Sequence, residues 1–260
     1  MIRALSAAAT GLEAQQTKIA NIANDLANVN TDGYKRTTTE FQDLMYETVK
    51  QPGGALGSGS QTPVGIQIGM GVKIGAAHKH FEPGPAKMTY NPFDLMIEGP
   101  GFFQVQTPQG ETAFTRSGAF HVDSQGILQL SNGSKLNPQI VIPHNAMNVV
   151  ISTSGEVRAT IPGTGEAVLG QIQVADFANQ QGLMAMGEGL YKASQASGAP
   201  IQGLPGENGL GPLQQGALEG SNVNVANSMV DMITTQRAYE MGTKVMGVAD
   251  QMLAATVNVK

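Results

Sequence analysis

Leu5-Ser-Ala-Ala-Ala-Thr-Gly-Leu12-Glu-Ala-Gln-Gln-Thr-Lys-Ile19-Ala-Asn-Ile-Ala-Asn-Asp-Leu26 places a large apolar residue at every seventh position near the start of the chain. Val225, Met232, Tyr239, Met246 and Leu253 repeat that spacing near its end. A seven-residue apolar repeat keeps one seam of an α-helix turned toward a partner, so each end predicts a coiled-coil helix. The first is expected from about Ile2 to Asn30 and is closed by Thr31-Asp32-Gly33, whose glycine suits the left-handed position after a helix. The last is expected to begin near Ser221-Asn222-Val223-Asn224, where several residues are able to cap it, and to reach about Val257.

Between these ends the chain turns to Gly, Pro and short alternating runs. Strands are expected from Val64-Gly-Ile-Gln-Ile-Gly onward, then through Gly101-Phe-Phe-Gln-Val-Gln, Phe114, Phe120–Val122 and Leu128–Leu130. Asn132-Gly133 is a two-residue hairpin signal. Further strands are expected at Gln139–Ile142, Asn148–Ile151, Glu156–Ile161 and Leu169–Phe177, and a loop from Ser194 to Gly216. The fold class is therefore α+β: N- and C-terminal helices pair as a coiled coil, with a β-rich domain inserted between them. The corresponding domains are 1–33 with 221–260 (helical), 34–75 (connecting) and 76–220 (β-rich). By composition, Tyr46 to Pro63, rich in Gly, Ser and Pro, reads as a flexible linker.

Charge is scarce. Charged residues make up 13% of the chain, against about 25% in ordinary globular proteins, which predicts that much of the surface becomes covered. The net charge of −5 and the absence of a Lys/Arg run argue against a nucleic-acid binder. The absence of cysteine excludes disulfides and thiolate chemistry. No run of 18 apolar residues exists to span a membrane as a helix. The opening residues mimic a signal peptide, but Ser6, Thr10 and Gly11 interrupt the apolar stretch, so no cleaved signal is expected.

No catalytic or metal constellation emerges. His78-Lys79-His80 offers two imidazoles without the third ligand a metal requires, and His121 and His144 stand alone. Gly69-x-Gly71-x-x-x-Gly75 has the wrong spacing for a dinucleotide fingerprint and lacks the Lys-Ser/Thr of a P-loop. Ser117 lacks the Gly-x-Ser-x-Gly setting of a nucleophile elbow. Asn132-Gly-Ser134 matches a glycosylation sequon, but the hairpin explains it. No cofactor is implied.

The helices read instead as an assembly device. Residues 1–31 and 221–260 together hold only ten charges, which sum to zero. Asn21, Asn24 and Asn28 form a stripe at helical spacing, and Gln15, Gln16 and Gln236 add further amides. Amides both donate and accept, so they suit contacts between identical helices without like-charge repulsion, although a solvated polar face would look the same. Five of the 13 methionines lie in the last helix, where adaptable side chains suit contact with non-equivalent neighbours as well as an internal core. The termini are expected to fold on polymerisation.

Ala23-Asn-Asp-Leu-Ala-Asn-Val-Asn-Thr-Asp-Gly-Tyr-Lys-Arg36 resembles the N-terminal signature of the bacterial flagellar rod and hook protein family. Glu219-Gly-Ser-Asn-Val-Asn-Val and Met232-Ile-Thr-Thr-Gln-Arg-Ala-Tyr-Glu240 resemble its C-terminal signature. Lys50-Gln-Pro-Gly, Gly65-Ile-Gln-Ile-Gly, Gly101-Phe-Phe-Gln-Val, Phe114-Thr-Arg-Ser-Gly and Met186-Gly-Glu-Gly-Leu-Tyr191 are most similar to the distal rod members of that family. The likeness covers essentially the whole chain. It implies a self-assembling helical tube with the paired terminal helices on its inner wall and the β domain outside, transmitting torque from the motor to the hook.

The implied assembly interface comprises Leu5, Leu12, Ile19, Asn24, Leu26, Asn28, Val225, Met232, Gln236, Tyr239, Met246 and Leu253. The implied rod-stiffening segment, 46–63, includes Tyr46, Gln51, Pro52, Gly53 and Pro63, and its glycine-heavy centre departs from the family pattern. The resemblance further implies adjacent rod subunits and the hook protein as neighbours, and periplasmic and outer-membrane ring proteins as a bushing. The rod cap and the flagellar type III export apparatus would act during assembly. The location implied is the flagellar basal body from periplasm to outer membrane, with no nucleic acid bound and no membrane insertion. Rival readings are another rod subunit or the hook protein, and, in a different class, a secreted β-rich cell-wall enzyme or binding module.

Overall fold

The computed structural model describes residues 2–51, 55–56, 60–61, 64–163 and 165–258. The described chain is α+β, helical at both ends and β-rich between, and it divides into two compact units. One holds Met1–Leu26, Thr37–His78 and Val225–Lys260; the other holds Ala27–Arg36 and Lys79–Asn224.

The first unit contains both helices. Helix α1 spans Ile2–Ala27 and helix α2 spans Val225–Asn258. Helix α1 stops short of the expected Asn30 because Asn28 begins a turn: Thr31 donates through its backbone N–H to the Asn28 carbonyl and through its hydroxyl to the Asn28 side chain. Such local side-chain bonds compete with the helical ladder. Asp25 is buried, and both of its carboxylate oxygens accept from the backbone N–H of Thr37 at 3.1 Å, which fixes the first strand, Thr37–Asp43. That strand pairs with Val72–Lys79.

The segment that composition reads as a flexible linker is a β ribbon over its described part. Tyr46–Lys50 pairs antiparallel with Ile66–Gly69, with Tyr46 opposite Gly69, and Ala55–Leu56 pairs with Ser60–Gln61. The glycines mask the aromatic and β-branched residues that favour strands on either side of them.

In the second unit, Phe102–Gln106 is the central strand of a nine-stranded sheet. It pairs with Thr112–Thr115 on one side and with Lys135–Leu136 and Val174–Asp176 on the other. Successive side chains of a strand point to opposite faces, so adjacent phenylalanines enter different cores. Phe103 joins Val105, Phe120, Leu128 and Leu136, while Phe102 joins Phe81, Phe114, Phe177 and Tyr191. Asn148–Ile151, Glu156–Ile161 and Gly165–Gln171 form a separate three-stranded sheet. The expected Asn132-Gly133 hairpin is present, with Gly133 donating to the Leu130 carbonyl at 2.9 Å. The strand expected at Gln139–Ile142 reduces to one bridge between Val141 and Ile127, flanked by Pro138 and Pro143, which have no N–H to give a ladder. The expected loop 194–216 includes two strands, Ile201–Gly203 and Leu213–Gln215.

Tyr191 packs edge-on against Phe81, with ring centroids 5.2 Å apart, and burial pushes its phenol up to about 12. A folded-state value raised above the free one gives stability that is complete below about pH 10 and is lost as pH climbs toward 12. Wild-type and Tyr191→Phe chains should therefore show equal tyrosinate absorbance at pH 10 and diverge near pH 12. The loss of stability across that window should be smaller in the variant.

Candidate assembly surfaces and the junction cluster

Three stretches far apart in sequence meet in the second unit, at the points where the chain enters and leaves it. Gly33 donates its backbone N–H to the Glu219 carbonyl at 2.7 Å, and Asn222 donates to the Tyr34 carbonyl at 3.4 Å. The Asn222 side chain, expected near the cap of the last helix, instead accepts from the Arg36 N–H and donates to the His80 carbonyl, each at 2.8 Å. Gly33 has φ +74°, and a Cβ there would fall 2.8 Å from the backbone nitrogen of Ser117, so only glycine fits both the conformation and the space.

Inside this junction lie three buried charges. The Lys35 ammonium is 2.6 Å from Glu219 Oε1 and 2.6 Å from the Glu82 carbonyl, and the Gly84 N–H donates to the same Oε1 at 2.9 Å. Arg116 Nη1 lies 3.6 Å from Glu219 Oε2, and its guanidinium sits over the Phe102 ring at 5.4 Å. Burial pushes Lys35 below the usual lysine value, Glu219 opposes that shift and Arg116 adds to it. Burial likewise lowers Arg116, against the attraction of Glu219 and Asp176. Two cations thus share one carboxylate out of contact with water. The arrangement is a structural clasp at the junction.

Helix α2 has two apolar faces. Met232, Met246 and Leu253 of the expected repeat are half-buried, while Val225 and Tyr239 remain exposed. Beside that row runs a second heptad row, Ser228, Thr235, Gly242 and Ala249, whose small side chains the apolar periodicity did not reveal. A Cβ on Gly242 would lie 2.7 Å from Leu12 Cδ2, so the two helices touch there. Thr235 is buried, with its hydroxyl bonded to the Asp231 carbonyl at 2.6 Å. Around the helix from this seam, Val230, Ile233, Met241, Val245, Val248 and Met252 follow helical spacing, and each is at least half exposed.

On α1 the expected row Leu5, Leu12, Ile19 and Leu26 is half-buried, and the deeper positions are Ala14, Ile22 and Asp25. Of the amides, Asn24 and Gln236 are exposed, Asn28 serves the helix-ending turn, and Asn21 donates to Thr39 Oγ1 at 2.7 Å. On the ribbon Tyr46 and Gln51 are exposed, together with Met45, Val49, Val64, Ile66, Ile68 and Met70. Pro52, Gly53 and Pro63 lie outside the described residues. His78 Nδ1 is 3.8 Å from Glu40 Oε1, and no group of three or more potential metal ligands occurs among the described residues.

The chain thus has helical termini, an uncovered apolar stripe on α2 and a β-rich unit stapled at its entry and exit, and comparisons place it in the class of flagellar axial proteins. The family described as flagella basal body rod protein matches residues 5–35. The flagellar hook protein FlgE/F/G D1 domain matches 96–159, and the flagellar basal body rod FlgEFG protein C-terminal region matches 214–259. Lys35, Arg116 and Glu219 fall one in each. The chain is 45% identical over 254 residues to the flagellar basal-body rod protein FlgG of Buchnera aphidicola subsp. Schizaphis graminum, covering 97% of this chain and 98% of the relative. It is 44% identical over 257 residues to FlgG of Caulobacter vibrioides, covering 98% of each. It is 34% identical over 265 residues to FlgG of Bacillus subtilis, covering 100% of each. The chain belongs to the FlgG family of flagellar basal-body rod proteins. It is a structural subunit of the flagellar rod and not an enzyme.

Removing one partner of a buried ion pair leaves an uncompensated charge and costs about 3–5 kcal/mol. Glu219→Gln should lower unfolding stability by that order in urea titration, because two cations lose their carboxylate. Arg116→Met should cost clearly less, because it removes the cation with the poorer geometry.

Proposed function

We propose that the chain forms the distal part of the rod, polymerising through α1 and α2 into a stiff helical tube that carries motor torque to the hook. The observation that carries this reading is the second apolar stripe of α2, from Val230 to Met252, which is exposed and distinct from the seam touching α1. A helix paired with only one partner needs one apolar face; a second such face serves another helix, here that of a neighbouring copy. In this reading α1 and α2 pair as a coiled coil with Leu5, Leu12, Ile19, Leu26, Met232, Tyr239, Met246 and Leu253 at the seam. Val225, Asn24, Asn28 and Gln236 complete the interface.

The functional division follows: 1–33 with 221–260 as the assembly domain, 34–75 as the connection and 76–220 as the outer domain. The segment 46–63 stiffens the rod by lying against a neighbour. A two-stranded ribbon exposing apolar residues on both strands is marginal alone, and a neighbouring copy would bury it. Neighbouring rod subunits, the hook protein, the surrounding ring proteins, the rod cap and the export apparatus are the partners this role requires. The role also places the chain between the periplasm and outer membrane. Among the described residues, few side chains of the two helices are buried in the single chain, and helices draw most of their stability from packing. The termini therefore gain their full order in the polymer.

Basal bodies isolated from cells lacking this chain should show, by electron microscopy, a rod that ends short without outer rings or hook. A complete rod lacking only the hook would refute the distal-rod role. With purified chain, amide exchange across α1 and α2 should be fast in dilute subunits and slow in sedimented polymer. Ile233→Glu together with Val248→Glu should abolish sedimentation while leaving the second unit folded.

A further inference from the structure

The chain's sulfur is all methionine: 13 methionines and no cysteine. Their settings differ sharply. Met96 is buried in the second unit at 5% exposure, and Met147, also in that unit, is 79% exposed. On the outer stripe of α2, Met241 and Met252 are 61% and 56% exposed, with Val245 and Val248 between them. The four occupy positions i, i+4, i+7 and i+11 and so share one face. This face combines high methionine exposure with the apolar character an inter-subunit contact requires.

We propose that Met241 and Met252 are oxidative modification sites that decide whether a subunit can join the polymer. The inference rests on the reading of the outer stripe as a contact between copies. The oxidant is a hydroperoxide. A sulfur lone pair attacks the terminal peroxide oxygen, an S–O bond forms as the O–O bond breaks, and the proton on the transferred oxygen passes to the departing one. Sulfur is oxidised by two electrons and the peroxide is reduced to water or an alcohol. The product is a polar, chiral sulfoxide in place of a flexible apolar side chain. Burying it against an apolar neighbour strips water from a strong acceptor without supplying a donor. In the polymer the same sulfurs are covered, so the switch acts on free subunits and spares the finished structure. Sulfoxide reduction by a thiol-dependent reductase reverses it.

The test uses the full chain. Subunits are oxidised partially with hydrogen peroxide, allowed to polymerise and separated by sedimentation, and the sulfoxides in pellet and supernatant are mapped by mass spectrometry. Sulfoxide at Met241 and Met252 should be depleted severalfold in the pellet, sulfoxide at Met147 should divide evenly, and methionine sulfoxide reductase should return the supernatant to the pellet. Even division of Met241 and Met252 sulfoxide overturns the proposal while leaving the polymer reading intact. Failure of untreated subunits to sediment overturns the polymer reading itself, and the proposal with it.

Discussion

Glu219 holds two buried cations that reach it from two distant points earlier in the sequence. Lys35 follows α1 and Arg116 sits in the middle of the β-rich unit, while Glu219 itself lies six residues before α2 begins. Burying a carboxylate and an ammonium removes the hydration of both, and their attraction repays that only when geometry is close and remaining lone pairs are used. Oxygen Oε1 meets that standard, with Lys35 at 2.6 Å and the Gly84 N–H at 2.9 Å. Arg116 is served less directly, through the Phe102 ring and a 3.6 Å approach to Oε2. The cluster adds specificity to burial: a carboxylate at 219 selects one arrangement of the incoming and outgoing segments out of the many that apolar contacts would tolerate. The backbone bonds of Gly33 and Asn222 then follow, and with them the alignment of the chain at both crossings.

The sequence carried some of this openly. The sevenfold rows at both ends, the Asn132-Gly133 turn and the alternation at Phe120–Val122 and Leu128–Leu130 are local patterns, and local patterns are visible in a single sequence. The junction cluster was invisible to that approach because 35, 116 and 219 share no spacing. Only the density of signature residues around each marked them as special. Ser228, Thr235, Gly242 and Ala249 escaped for another reason: a search for apolar residues passes over small ones, although the close approach of Leu12 to Gly242 depends on them. The ribbon that pairs Tyr46–Lys50 with Ile66–Gly69 was hidden by the glycines of the same stretch, whose composition resembles a linker even where neighbouring residues pair as strands.

The amides illustrate the opposite error. A stripe at Asn21, Asn24 and Asn28 looks like a surface kept neutral for identical partners, yet Asn21 bonds Thr39 and Asn28 shapes the end of α1. Helical spacing says which side chains share a face and nothing about which element comes to meet that face. Asp25 makes the same point, since a charge that the sequence showed only as one of ten is the clamp that starts the first strand.

Charge distribution connects the two parts of the molecule to different tasks. The terminal segments sum to zero, so the chain's net −5 lies entirely between residues 32 and 220. In a polymer of identical subunits every contact repeats, and any net charge on the contacting surface meets its own sign each time. Coulomb repulsion between such surfaces grows with the square of that charge and is least screened where water is excluded. Neutral helices avoid the penalty at the helical contacts proposed between copies. The acidic excess is left to the β-rich unit, where mutual repulsion keeps free subunits apart in solution without opposing the helical seams.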